Sequence, residues 1–459
     1  MKSTNHAQET QQDSAKITGA IDRFFQNFHL ATILNQGGIR KTKGISALTI
    51  MSSIFALAFI GKDFYRGIVQ NRSLSFGKDA AYELLKGSCH NWRKVLMIIS
   101  VKLLAFFNSL TSQTREKVLI IDDSPYDRSR SKKVELLAKV FDHAQMKFIR
   151  GFRLLSVCWS DGVSLLPLDF ALLSSKDKKN RFEGITKDVD KRSCGYKRRL
   201  EAMEKATDLI KPMVSRILSY QIKFDYILMD SWFTWPGVVC DLHQYAPVIG
   251  MVKKTSKVRY NFGGLNLDVK SIYRRLSKRR GRAKILSHAL ISVGDIGAKL
   301  VFVRNRHKKD WLVLISTKPE LSDEDIIRVY GRRWDIEVFF KMAKQHLKLV
   351  KEIQARDFDS LVAHTSIVFM RYQFLAYEQR MRTDSRTFGQ LFYCVYEEMA
   401  DITFLESLQR ILTMAIDKLR KAGEFSEKIY RKLIDVVMGQ AVKLLGLESN
   451  QCQISPATA

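Results

Sequence analysis

The chain has 459 residues, 46% of them hydrophobic, enough to bury a sizeable core spread over two or three domains. Lysine and arginine total 76 against 47 acidic residues; a formal charge of +29 exceeds what solubility needs and points to a polyanionic partner, nucleic acid before an anionic membrane surface. Cys89, Cys158, Cys194, Cys240, Cys394 and Cys452 form no C-x2-C pair and have no histidine at finger spacing, which argues against a zinc site or a disulfide framework and fits a reducing, cytosolic compartment.

Met1 to Lys16 is polar and lacks the layout of a signal peptide. The uncharged stretch Ile45 to Ile60 has 16 residues, interrupted by Ser46, Thr49, Ser52 and Ser53, and is too short to span a bilayer; it reads as a buried helix. From Ile17 to about Ser112 the apolar residues recur at helical spacing, as in Ile21, Phe24, Phe25 and Phe28. Residues 1–112 are therefore expected to be a helical domain. It is suited either to DNA binding or to packing and dimerisation, since no recognition helix is evident.

After Arg115 the pattern changes to strands. Lys117 to Ile121 is an apolar run ending in Asp122 and Asp123; Phe148 to Trp159 and Val163 to Leu173 read as two more strands joined at Asp161-Gly162. A basic helical stretch, Lys197 to Tyr220, precedes the buried strand Tyr226 to Met229, which ends in Asp230. A helix around Pro236 to Tyr245, a strand Pro247 to Val252 and a long helix from about Asp323 complete this order. It predicts an α/β fold: a ribonuclease-H-like mixed sheet flanked by helices over residues 113–383. Residues 253–319, basic and then alternating, read as an inserted β subdomain, and residues 384–459 as a helical C-terminal region with a frayed tail.

Ligands of open α/β sheets bind at the carboxyl ends of strands, which draws attention to Asp122 and Asp230. Taken alone, an aspartate after a strand is more often a turn or cap residue; two ending adjacent strands can share hard divalent cations. The helix opening at Ser322 carries Tyr330, Arg333, Glu337 and Lys344 on one face, at offsets of 3, 7 and 14 from the tyrosine, opposite the apolar stripe of Ile336, Phe340, Ala343 and Leu347. An arginine and a glutamate four apart are usually a solvated ion pair; following two strand-end aspartates they suggest a site. Three carboxylates can hold two Mg2+ ions for in-line phosphoryl displacement, with Tyr330, Arg333 and Lys344 on the flanking phosphates.

In Asp122, Asp230 and Glu337, and above all in Tyr330-x2-Arg333-x3-Glu337-x6-Lys344, the sequence resembles the DDE transposases of the insertion-sequence-four family. The resemblance covers roughly Val118 to Lys344 and the helices that follow. It implies a metal-dependent transposase that cuts the ends of a bacterial insertion sequence and joins them to target DNA. It also implies Mg2+ as cofactor, with Mn2+ able to substitute, and terminal inverted repeats and target DNA as partners. A homodimeric synaptic complex in a cytoplasmic, nucleoid-associated location and, in similar enzymes, a hairpin intermediate follow from the same likeness. Trp334 matches a position where relatives carry a tryptophan near a flipped base, with a core aromatic as the competing reading; Trp232 stands two residues after Asp230. Many relatives have aspartate followed by a small residue and threonine where this chain has Asp122-Asp123-Ser124, so Asp123 competes with Asp122 for the first position, and the register of the apolar run favours Asp122.

Basic clusters at 176–181, 187–192, 197–199 and 274–284 surround the expected core and insertion and would make DNA affinity steeply salt-dependent. Among them Phe182, Tyr196, Tyr260, Phe262 and Tyr273 either stack on bases or fill the β subdomain. Two alternatives stay open: a transposase-derived DNA-binding protein without activity, and a ribonuclease-H-like nuclease that cuts but never joins.

Overall fold

A computed structural model describes residues 19–41, 43–112, 114–142, 145–186, 188–305, 310–381, 387–422 and 427–445. The expectations for Met1 to Lys16 and for the tail from Glu448 lie outside these residues. The described residues open with five α-helices: α1 (Ala20–Asn27), α2 (Leu30–Gln36), α3 (Ala47–Ala56), α4 (Lys78–Lys86) and α5 (Trp92–Ser109). Ser46 and Asn91 start α3 and α5 by accepting from the backbone N–H three residues on, which satisfies donors that a helix end leaves open. Ile50, Met51, Ile54 and Phe55 are buried, as the reading of this stretch as a buried helix requires.

The sheet begins with β1 (Val118–Asp127), β2 (Ala138–Asp142), β3 (Lys147–Ser160) and β4 (Leu165–Leu173). Helices α6 (Cys194–Glu201) and α7 (Ala206–Ser219) lead to β5 (Tyr226–Met229), α8 (Pro236–His243) and β6 (Val248–Met251). Strands β3 and β1 pair antiparallel, as do β4 and β3, whereas β5 pairs parallel with β1 and β6 parallel with β5. The resulting order, β4-β3-β1-β5-β6, is that of a ribonuclease-H-like sheet, as the sequence order of strands and helices predicts. Strand β2 was not expected; it extends the lower half of β3 as a hairpin.

Residues after β6 form β7 (Arg259–Phe262), β8 (Leu265–Asp268), α9 (Val269–Arg275), β9 (Ile285–Val293), β10 (Ile296–Arg304) and β11 (Trp311–Ser316). This β region continues the central sheet, because β11 pairs antiparallel with β6. It keeps its own small core of Val252, Val258, Tyr260, Val269, Leu300 and Phe302, against which Phe262 and Tyr273 pack. Of the five aromatics named above, Tyr260, Phe262 and Tyr273 thus fill the β region, whereas Phe182 and Tyr196 lie outside it.

The described residues end in α10 (Asp323–Gly331), α11 (Trp334–Gln345), α12 (Phe358–Met381), α13 (Phe388–Ala422) and α14 (Glu427–Leu444). The single helix expected from Asp323 is two. At Gly331, a poor helix former, the backbone tightens: Arg332, Arg333 and Asp335 donate to carbonyls three residues back, and a new helix starts at Trp334. Helix α12 is buried from Phe358 through Tyr377 and packs on α3, α4, α5, β4 and α11, joining the N-terminal helices to the sheet. Within it Arg371, fully buried, donates to the Ile54 and Phe55 carbonyls of α3, to the Leu347 carbonyl and to both Glu352 oxygens. No helix among the described residues is long and apolar enough to cross a membrane.

Candidate active site

Register sets the site. Val118 through Ile121 are fully buried and pair in parallel with Tyr226 through Met229, so Asp122 and Asp230 are the next residues of two adjacent strands. Apolar side chains bury the sheet up to this level, and the first charged residue of each strand emerges at its carboxyl end. Asp122, Ser124 and Tyr126 share one face of β1 by alternation; Asp123 points to the other.

The junction between α10 and α11 docks onto the face that carries Asp122. Glu116, just before β1, accepts from Arg328 at 2.7 and 2.9 Å and from Arg332 at 3.0 Å, and Arg332 also donates to its carbonyl at 2.6 Å. Asp335 accepts from the Ser160 hydroxyl at 2.9 Å, fixing the first turn of α11 to the end of β3. Buried Ile336, Phe339, Phe340 and Ala343 then lay α11 against the core.

With the helix so placed, the Arg333 guanidinium lies between two of the expected carboxylates, 2.8 Å from Asp122 and 2.5 Å from Glu337. Farther along α11, Lys344 Nζ donates to the Ser124 hydroxyl at 2.7 Å. Tyr330 sits beside this cluster, its ring centre 5.9 Å from the guanidinium. Trp334 is 63% exposed, so its reading as a core aromatic does not hold. Trp232 is also exposed, and Lys253 places its ammonium 3.1 Å from the indole ring centre. Asp123 pairs with Arg153 of β3.

Burial pushes the Asp122 carboxyl up to about 7; the Arg333 charge pulls it back, and the charges of Asp230 and Asp123 add to the rise. Asp230 is raised as well, first by burial and then by Asp123, although it accepts the Trp232 backbone N–H at 2.7 Å. The three aspartates thus act on one another across the strand ends. Burial lowers the Lys344 ammonium below the usual lysine range, against the attraction of Asp142, Asp127 and Asp123. Burial raises the Tyr330 phenol.

Sequence reasoning did not anticipate three of these groups. Ser124 stands two residues after Asp122 and therefore on its face, a signal that strand alternation carries. Arg153 and Lys253 reach the strand ends from β3 and from just beyond β6, and only the sheet register reveals that. Among the described residues no three His, Cys, Asp or Glu side chains are already gathered in the manner of a metal site. The arginine between Asp122 and Glu337 is the cation present there.

A family described as DDE superfamily endonuclease matches residues 72–289, a span that includes Asp122 and Asp230 and stops before Glu337. No curated protein matches the chain. Among solved structures the chain is similar to a piggyBac transposase, in the cryo-EM structure of its synaptic complex with hairpin DNA, at 11% identity over 98% of this chain and 88% of that one, with a TM-score of 0.44.

Proposed function

We propose that the protein is a transposase of the insertion-sequence-four type, cutting the ends of its element and joining them to target DNA. In this reading Asp122, Asp230 and Glu337 are the acidic ligands of divalent cations, Mg2+ with Mn2+ able to replace it. The observation that supports it most is the placement of Asp122 and Asp230 at consecutive ends of parallel strands, with the Arg333–Glu337 turn of α11 against Asp122.

The donor set suits a hard cation. All three ligands are carboxylates, and the Asp122 carboxyl is raised to about 7 in a way that added positive charge would relieve. Bound cations would polarise the attacking and leaving oxygens of an in-line displacement. The rest of the work falls to the chain itself. Arg333, exchanging its carboxylate partners for DNA, would grip a phosphate with two parallel N–H donors. Lys344, held by Ser124, would add a point charge, and the Tyr330 hydroxyl would donate to a phosphate oxygen. The exposed Trp334 ring offers a surface on which an unpaired base stacks. Synapsis by a homodimer, recognition of terminal repeats and a nucleoid location belong to the same reading.

The test is incubation of purified protein with the DNA flanking its coding region in Mg2+. Nicks at the element ends together with joined products are expected, both lost in Asp230→Ala with DNA binding kept. Cutting without joined products would favour a nuclease; binding without cutting would favour a non-catalytic DNA-binding protein.

A further inference from the structure

The β2–β3 hairpin carries a face that the proposed chemistry does not use. Its register sets Lys139 opposite Arg150 and Phe141 opposite Phe148, so alternation puts all four on one side, while Ala138, Val140 and Ile149 form a small core on the other. Phe148 is 60% exposed; Phe141 meets it edge-on at 5.1 Å and Lys139 Nζ stands 4.5 Å from its ring centre. The Arg150 guanidinium lies 4.9 Å from the ring centre of the exposed Phe182. That ring is tied to the hairpin, since the Phe182 N–H donates to the Leu137 carbonyl at 2.7 Å and Arg181 bridges to Ala138. Lys147, Lys178 and Lys179 are exposed around it.

The two register pairs on this face hold two cations, two aromatics and no carboxylate. A water-facing strand surface normally carries polar side chains, and the buried centre of a protein interface is depleted in lysine. Cations interleaved with open rings suit a nucleic acid, whose phosphates take the charge and whose bases or sugars take the ring. The position is informative too. Arg150 and Phe148 lie on the same side of β3 as Ser156, the residue that pairs with Asp122. They stand six and eight residues from it, roughly 20 to 26 Å along the strand. At 3.4 Å per nucleotide that is about six to eight nucleotides.

We propose that this hairpin face is a DNA-contact surface, with Lys139 and Arg150 on phosphates and the open side of the Phe148 ring against a nucleotide, about six to eight nucleotides from the scissile phosphate. The proposal rests on the reading of the strand-end carboxylates as the cleavage site. The test compares the unaltered protein with Lys139→Ala/Arg150→Ala and with Phe148→Ala, all at exposed positions. DNA duplexes carry arms of about 4 or about 15 base pairs on either side of the cleavage position, short of and beyond that reach.

On long arms the double variant is expected to lower the slope of log affinity against log salt by about 1.8, and Phe148→Ala to weaken binding at least fivefold. On short arms all three proteins should bind and cut alike. Equal losses on both lengths, or none on the long DNA, would overturn the proposal. So would loss of a dimer in the absence of DNA, which would mark the face as a contact between two copies. Cutting of the short duplex by the unaltered protein reports on the cleavage site alone, so failure of that reading shows separately from failure of this one.

Discussion

Replacing Asp122 by asparagine should stabilise the cation-free protein while abolishing its chemistry, and the gain should grow with pH. The Asp122 carboxyl is held at about 7 against an ordinary 3.8. At about 1.36 kcal/mol per pH unit the gap corresponds to about 4 kcal/mol. Between roughly pH 4 and 7 the unfolded chain has released this proton and the folded chain still holds it, so folding stability falls as pH rises through that window. Above 7 the penalty of a buried, crowded carboxylate is present in full. Asparagine never ionises yet still accepts from Arg333. Its advantage should therefore be about 2 kcal/mol at pH 5 and about 4 kcal/mol at pH 8. Urea unfolding of both proteins in EDTA at the two pH values measures this. Adding Mg2+ at pH 8 should then stabilise the unaltered protein and leave Asp122→Asn unmoved, because only a carboxylate retains a strong ligand for the ion. An equal effect of the substitution at both pH values, or a net destabilisation at pH 8, would refute the assignment of Asp122 as the crowded carboxylate of the site.

Other consequences are simpler to read. Asp123→Ala removes the partner of Arg153 and should leave cleavage within a few-fold, whereas Asp122→Ala should remove it; the reverse outcome in parallel DNA-nicking assays would hand the first ligand position to Asp123. Arg371→Met leaves Glu352 buried beside a single histidine and frees carbonyls of α3, so unfolding by denaturant should show a loss of about 3 to 5 kcal/mol, part of it recovered in Arg371→Met/Glu352→Gln. Ser322→Ala removes the hydroxyl that accepts the Asp325 N–H and should cost about 1 kcal/mol in the same measurement. Gly151→Ala would set a Cβ against the Tyr126 carbonyl oxygen of the paired strand, and a sharp fall in thermal stability is expected.

The strand ends that build the candidate site were legible because they are short apolar runs buried on both faces and stopped by a charge. Val118–Ile121 and Tyr226–Met229 need no partner to be recognised, and their order along the chain constrains the topology. The alternating strands β7 and β8 were not, since four residues among many basic ones carry little periodicity. The Gly263-Gly264 pair between them, both at positive φ, was the turn signal that marks this hairpin. Strand β2 escaped for the same reason of length, and it is held by its register with β3. Helical spacing correctly brought Arg333 and Glu337 together, because Arg333 immediately precedes α11 and Glu337 lies in its first turn. It wrongly carried the same helix back through Tyr330, where Gly331 and the tightened bonds after it reset the face. That Arg333 would lie between two carboxylates was beyond any spacing argument. It depends on Glu116 and Ser160 anchoring the helix junction to the ends of β1 and β3.

The most direct test of the three-carboxylate account is single-turnover cleavage of the flanking DNA in Mg2+ by the unaltered protein and by Glu337→Gln, with DNA affinity measured separately in Ca2+. Glu337 touches only Arg333 among the contacts described above, so its replacement by an isosteric amide should leave affinity within a few-fold. The account predicts a loss of cleavage of at least a thousandfold, about 4 kcal/mol of transition-state stabilisation. Cleavage by Glu337→Gln at the rate of the unaltered protein would contradict it.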